Sequence, residues 1–269
     1  MPLGAGDTKG NKDGGMKASG ADWYKSIWDL SIKNMSWVED TENQADFIIQ
    51  TLGLTGTERI LDLACGYGRH ALTFARRGYA VVGVDITEAY IDDAVATAKK
   101  ENLSARFILS DIRDVRFDNE FDVVLNLADG AVGYLENDEE NLKIFDIAAK
   151  ALKPGGSHFM DIINAAHAQK YFPKHTWAIG ENEFSFAEFE WDPQKKIMLY
   201  GGGGFRYGEA AQKPAVPEGN PTRLYFIEEL QEIYQQRGMQ VLETFSDFYG
   251  KPASPGEMQL LVYAKKAEM

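Results

Sequence analysis

Three short stretches bring acids and glycines together at a spacing that could hold a nucleotide. In Glu58–His70 (ERILDLACGYGRH), a mostly apolar run, Arg59–Ala64, meets the glycine turn Cys65-Gly66-Tyr67-Gly68. Asp62 lies inside that run, where a carboxylate is costly unless it has a partner. The glycines let the backbone turn tightly and approach a ligand, and the helix that follows offers unpaired N–H groups beside it. A second apolar run, Tyr79–Val84, ends in Asp85, well placed to accept hydrogen bonds from ribose hydroxyls. A third, Arg106–Leu109, leads to Asp111-Ile112. Gly66-x-Gly68-x-x-Ala71 also satisfies the dinucleotide pattern GxGxxG/A, so the turn alone suits more than one nucleotide cofactor.

Alternating strands and helices must position these groups. Strands are expected at Arg59–Ala64, Tyr79–Val84, Arg106–Leu109 and Phe121–Leu127, with a fifth, His158–Ile163, after the turn Leu152-Lys153-Pro154-Gly155-Gly156. Helical spacing predicts Thr41–Leu52 closed by Gly53, a helix opened by Arg69 and His70, and Thr87–Glu101 with Thr87 as its N-cap. It also predicts Asp138–Leu152, its acids Glu136–Glu140 reading as a solvated start that suits the macrodipole, and Ile227–Arg237 with Gly238 as C-cap. Gln240–Phe248 and Gln259–Ala264 read as a terminal hairpin. Residues 1–20, rich in glycine, read as a disordered tail, and Trp23–Leu30 as an aromatic helix packed on the domain or closing over the ligand. Between residues 165 and 222, Phe184–Glu190 alternates with period two, and Lys196–Tyr200 can pair with it across Trp191-Asp192-Pro193-Gln194. The run Gly201–Gly204 reads as a bulge or loop, and Glu209–Pro221 as a loop.

The series DLACGYG, VVGVD, SDI and LKPGG, continued by GAVGYL, RLYFIEEL and LLVYAKK, resembles the class I S-adenosylmethionine-dependent methyltransferases over roughly Trp23–Lys266. The resemblance implies an α/β fold: a Rossmann-like, seven-stranded, mostly parallel sheet with an antiparallel C-terminal strand, plus a small antiparallel β insertion. It divides the chain into a cofactor-binding domain, 21–164 and 223–269, and a β-rich cap over the acceptor site, 165–222, with Arg223-Leu224-Tyr225 as the strand returning to the core. The cofactor implied is S-adenosylmethionine, leaving as S-adenosylhomocysteine. Asp62 would hold its amino group, Arg69 its carboxylate and Asp85 its ribose. Asp111, Ile86 and the Ile112 N–H would frame adenine, and Tyr24 would reach the methionine end. Ala64 and Gly66 in the turn, and Asn126 and Leu127 at the end of the fourth strand, complete the expected binding set.

The acceptor is less legible. A class I reading implies transfer to N or O of a small molecule by in-line displacement. A hydroxyl acceptor would need a base, for which His167, His175 and Asp129 are candidates by position. Trp177, Arg206, Tyr207 and Arg223 are candidate pocket residues. A formal charge of −13 argues against a phosphate-backbone partner. No stretch reaches the ~20 apolar residues of a membrane span. Four scattered histidines and one cysteine give no metal constellation. The expected setting is cytoplasmic, as monomer or homodimer. Two rivals remain at this level: an NAD-dependent oxidoreductase, and a cofactor-binding partner protein without transferase activity.

Overall fold

A computed structural model describes residues 16–34, 38–180, 183–210 and 218–268. Its strands are β1 (Lys17–Ala18), β2 (Arg59–Leu63), β3 (Ala80–Asp85), β4 (Ala105–Leu109), β5 (Phe121–Asn126), β6 (Leu152–Ile163), β7 (Lys174–Ile179), β8 (Glu183–Asp192), β9 (Ile197–Arg206), β10 (Glu218–Arg223), β11 (Met239–Phe245) and β12 (Gln259–Lys266). Its α-helices are α1 (Thr41–Leu52), α2 (Arg69–Arg76), α3 (Glu88–Glu101), α4 (Asp138–Ala151), α5 (Ala165–Tyr171) and α6 (Ile227–Gln235).

Seven strands form one sheet in the order β11-β12-β6-β5-β2-β3-β4. Every pairing from β4 across to β6 is parallel, whereas β12 runs antiparallel to both β6 and β11. The strands are apolar on both faces because both faces are covered. In β2, Leu61 and Leu63 enter one core cluster, with Phe145 of α4 and Tyr234 of α6, while Ile60 enters another with Ile48 of α1 and Phe74 of α2. The strand order reverses between β2 and β5. In open α/β sheets a ligand crevice forms at such a switch point, outside the carboxyl ends of the strands.

The second sheet runs β1-β10-β9-β8-β7, antiparallel except for the short β1–β10 pair. It joins the first through a small cluster of Phe189, Met198, Leu224 and α5 alanines.

Several expectations need correction. Trp23–Leu30 is not a helix: two short 3₁₀ turns, Trp23–Lys25 and Leu30–Asn34, replace it. The expected disorder of residues 1–20 fails at its end, where Met16 is buried and Lys17–Ala18 pair with Glu218–Gly219; residues 1–15 lie outside the described residues. The LKPGG segment belongs to β6, with a register shift opposite it between Phe121 and Val123. Thr87 precedes α3, but its side chain caps nothing.

The four glycines 201–204 are strand, paired with Ser185–Glu188. A Cβ on Gly202 would lie 2.6 Å from the Phe186 carbonyl oxygen, and one on Gly201 would lie 2.6 Å from Met16 Sδ. Glycine is used there for close approach. The loop expected over Glu209–Pro221 contains the start of β10, and residues 211–217 of it lie outside the described residues. Arg223 ends β10 in the smaller sheet, and Tyr225 makes only an isolated bridge to Asn164. α6 is capped at Gln236, two residues before Gly238. The acids at the start of α4 are not merely solvated: Glu136 and Glu140 pair with Arg113, and Asp138 accepts from the Tyr225 hydroxyl.

Candidate functional site

The carboxyl ends of β2, β3, β5 and β6 open into a cavity of about 730 Å³, closed on other sides by the Trp23–Ile32 segment and the inner face of β8–β10. At its floor the chain leaves β2 through Ala64 (φ 56°), Gly66 (φ 57°) and Gly68 (φ 77°), a left-handed path that favours glycine. A Cβ on Gly68 would stand 2.8 Å from the Phe107 ring, so close packing fixes this position as well.

The acids of the cavity are held in different ways. Asp85 accepts the Gly66 and Thr87 N–H groups at 2.8 Å each, tying the glycine turn to the start of α3, and burial pushes its carboxyl upward. Asp62 is 2 % exposed, and its Oδ2 has no hydrogen-bond partner within the protein. Burial, reinforced by Asp85 and opposed by Arg69, raises it to about 7. Asp111 accepts from Arg113 Nη2 at 2.6 Å and from its Nε and backbone N at 2.9 Å, and this guanidinium holds its carboxyl below the ordinary range.

Arg113 also donates to Glu136 and Glu140, and the Tyr24 hydroxyl donates to Glu136 at 3.0 Å. One cation therefore ties the N-terminal segment to the end of β4 and the start of α4. Arg69 Nη1 donates to Thr41 Oγ1 and Gln44 Oε1, and burial lowers its guanidinium against the pull of Tyr67 and nearby acids.

Of the sequence-derived binding set, Tyr24, Asp62, Ala64, Gly66, Arg69, Asp85, Ile86, Asp111, Ile112 and Leu127 all line this cavity. Asn126 does not. It is fully buried beneath the floor, donating to the Gly130 carbonyl at 2.8 Å and meeting His158 Nε2 at 3.0 Å. Of the three base candidates only Asp129 lines the cavity. His167 is buried against Tyr171 and Phe172 away from it, and His175 is exposed on edge strand β7. Trp177, Arg206, Tyr207 and Arg223 lie outside the cavity too, Trp177 and Tyr207 more than half exposed.

Sequence reasoning placed Trp28 only within a segment that could close over the ligand, and it missed Tyr134, Asp161, Met198 and Tyr200, all lining residues. It also missed Arg113. Only Tyr134, inside the GAVGYL segment, carried any local signal.

Known proteins bear on the cofactor. Residues 60–156 match the family model of a methyltransferase domain, a span running from β2 through the glycine turn into β6. YqeM of Bacillus subtilis (strain 168), which carries a methyltransferase name, is 25 % identical over 211 residues, 78 % of this chain and 85 % of that protein. The chain is a class I S-adenosylmethionine-dependent methyltransferase. The cypemycin N-terminal methyltransferase of a Streptomyces species is 32 % identical over 111 residues, 41 % of this chain and 44 % of that one.

The methyltransferase shares its fold with an S-adenosylmethionine-dependent methyltransferase from Clostridium acetobutylicum (TM-score 0.72, 18 % identity, 88 % of this chain and 97 % of that one). CcbJ of Streptomyces caelestis is equally similar in fold (TM-score 0.72, 18 % identity, 85 % and 90 %). The antiparallel β12 within this sheet sets the methyltransferase apart from an all-parallel dinucleotide fold, so the oxidoreductase reading falls. Its cofactor is S-adenosylmethionine.

Proposed function

We propose that this methyltransferase transfers the methyl group to N or O of a small molecule held in the cavity between the two sheets. One observation carries the reading: the glycine turn and its acids share a cavity of about 730 Å³ with the side chains of the smaller sheet. That volume lies within the range of small-molecule sites, about 300–1,000 Å³. A formal charge of −13 argues against a nucleic-acid backbone as partner, and no helix among the described residues is long and apolar enough to cross a membrane. We extend the reading to a cytoplasmic monomer or homodimer, with 165–222 serving as the acceptor-site cap.

The residues fit the cofactor. Asp62, whose Oδ2 is buried without a partner, would take its amino group, which repays the cost of that burial. Asp85 already accepts two N–H groups but keeps lone pairs for the ribose hydroxyls. Ile86, 36 % exposed in the cavity, would cover one adenine face, with Asp111 and the Ile112 N–H at its edge. Arg69 would reach the carboxylate from the start of α2. Tyr24 would stand over the methionine end, and Ala64, Gly66 and Leu127 would supply backbone and wall. Asn126 belongs to the support of this floor, not to its contact surface.

When bound, S-adenosylmethionine supplies a methyl group already activated on a sulfonium, so the chain has chiefly to orient the acceptor in line and exclude water. Trp23, Trp28 and Tyr134 cluster at the cavity wall, with Trp23 and Tyr134 centroids 4.8 Å apart, and keep that end apolar. The test is transfer of labelled methyl from S-adenosylmethionine into a cell extract separated by size. Label in the small-molecule fraction is expected. Label confined to protein or nucleic acid would overturn the reading.

A further inference from the structure

The acids of the cavity outnumber its cations, and the excess is concentrated at one place. Among the lining residues the carboxylates are Asp62, Asp85, Asp111, Asp129 and Asp161, while the basic side chains are Arg69 and His70. His70 is buried against Gln44, and burial keeps its imidazole neutral. Asp111 is matched by Arg113, and Asp62 and Asp85 have the partners proposed above. Asp129 is left over, and Asp161 shares the pull of Arg69 with Asp62.

These two acids adjoin each other: the Asp129 N–H donates to the Asp161 carbonyl oxygen at 2.8 Å. Their side chains are held by neutral donors, Asp129 Oδ2 by the Tyr134 hydroxyl at 2.8 Å and Asp161 Oδ1 by Gln259 Nε2 at 2.9 Å. Asp129 is also presented from an unusual backbone. Ala128, Asp129, Gly130 and Ala131 all lie in the left-handed region, with φ of 52°, 68°, 50° and 62°. Each non-glycine residue there costs roughly 1–2 kcal/mol, so the turn persists only because its surroundings hold it. Asn126 provides that hold from below through the Gly130 carbonyl.

Around the pair the walls are aromatic. Tyr134 packs on Trp23 and lies parallel to Trp28, and Phe189 and Tyr200 line the facing strands. Two carboxylates among π faces suit a cation with an apolar body.

We propose that the methyl acceptor is an amine on an apolar or aromatic skeleton, that it enters as its ammonium, and that Asp129 and Asp161 receive it. This rests on the small-molecule reading above and narrows it. The ammonium passes one proton to the Asp129 carboxylate, which frees the nitrogen lone pair. The new N–C bond forms as the C–S bond breaks, and sulfur keeps the electron pair. The product leaves as the methylated ammonium, and Asp129 returns its proton to water. Burial pushes both carboxyls upward, which narrows the gap in proton affinity between Asp129 and an amine and so favours the transfer over what an exposed carboxylate would allow. An alcohol would ask more of Asp129, and neither His167 nor His175 is in the cavity to help.

The test uses matched pairs differing only in the functional group: 2-phenylethylamine against 2-phenylethanol, and cyclohexylmethylamine against cyclohexylmethanol. Each is titrated calorimetrically into the full chain saturated with S-adenosylhomocysteine. The amine of each pair is expected to bind at least about tenfold more tightly than its alcohol. Asp129→Asn and Asp161→Asn should each reduce amine affinity by about 30-fold and leave the alcohol nearly unaffected, since breaking one side of a buried charge pair is a large loss. Alcohols binding as well as the amines to the wild-type chain would overturn the proposal without any variant. So would an amine preference that survives both substitutions. Failure of S-adenosylhomocysteine itself to bind would instead strike the cofactor assignment, and it is read first in the same experiment.

Discussion

Replacing Asp62 by Asn should move stability and cofactor binding in opposite directions. The substitution keeps size and shape and removes the charge. In the cofactor-free protein the carboxyl is 2 % exposed and one oxygen is unpartnered, so ionising it there is expensive. Burial raises it from the ordinary 3.8 to about 7, which sets an upper limit of about 4 kcal/mol on that expense at pH 8.

Between these two values the folded state holds a proton that the unfolded state has released, so the contribution of Asp62 to stability falls as pH rises through 7. The neutral Asn escapes that loss but still buries a polar group, so we expect a net gain nearer 1–2 kcal/mol. At pH 8 the melting temperature of cofactor-free Asp62→Asn should exceed wild type by a few degrees, at about 2–4 °C per kcal/mol. At pH 5.5, where the wild-type carboxyl is protonated, the difference should shrink.

Binding should go the other way. Losing one charge-assisted hydrogen bond to the ligand ammonium costs about 1.5–3 kcal/mol, or roughly 10- to 150-fold in affinity for S-adenosylhomocysteine. Wild-type affinity should also rise with pH through 7, and that slope should flatten in the variant. Scanning calorimetry and isothermal titration at the two pH values read all of this. A lowered melting temperature at pH 8 with affinity retained would refute the reasoning and make Asp62 a purely structural acid.

Two further outcomes are expected. Asp85→Ala removes the acceptor for two ribose hydroxyls, at roughly 1–3 kcal/mol, so S-adenosylhomocysteine affinity should fall by about one to two decades; it also strips the Gly66 and Thr87 N–H groups of their acceptor, so the melting temperature should fall too, and unchanged affinity in a natively folded variant would sink the ribose assignment. The Trp23–Leu30 segment is anchored through Trp23 Nε1 to the Pro221 carbonyl and through the Tyr24–Glu136–Arg113 contacts, and ordering backbone costs roughly 1–2 kcal/mol per residue. Hydrogen exchange across residues 21–34 should slow when S-adenosylhomocysteine is added, whereas strong protection without it, unchanged on binding, would mark these aromatics as plain core.

The sequence by itself determined the elements whose causes are local. α1 runs from Thr41 to Leu52 and closes on left-handed Gly53, as its periodicity and terminal glycine require. The strands of the cofactor half are apolar runs ending in acids, and because parallel strands share one direction, their carboxyl ends meet at one edge. Asp62, Gly66, Asp85 and Asp111 therefore converge without any long-range information beyond the strand order.

Tertiary structure decided what depends on neighbours far along the chain. Gly201–Gly204 became strand because Phe186 and Met16 crowd it, a reason invisible in a glycine run. The aromatic residues Trp23 and Tyr24 are held by Pro221, Tyr134 and Glu136, so contacts more than a hundred residues away replaced the expected helix with short turns. Asn126 turned inward because His158 and the Gly130 carbonyl offered it partners in the core. The fold carried His175 away from the cavity and brought Asp161 and Tyr200 to it, because side-chain direction in a strand follows sheet register, and register is set by pairing between distant segments; His167, on α5, is turned away by its packing on Tyr171 and Phe172.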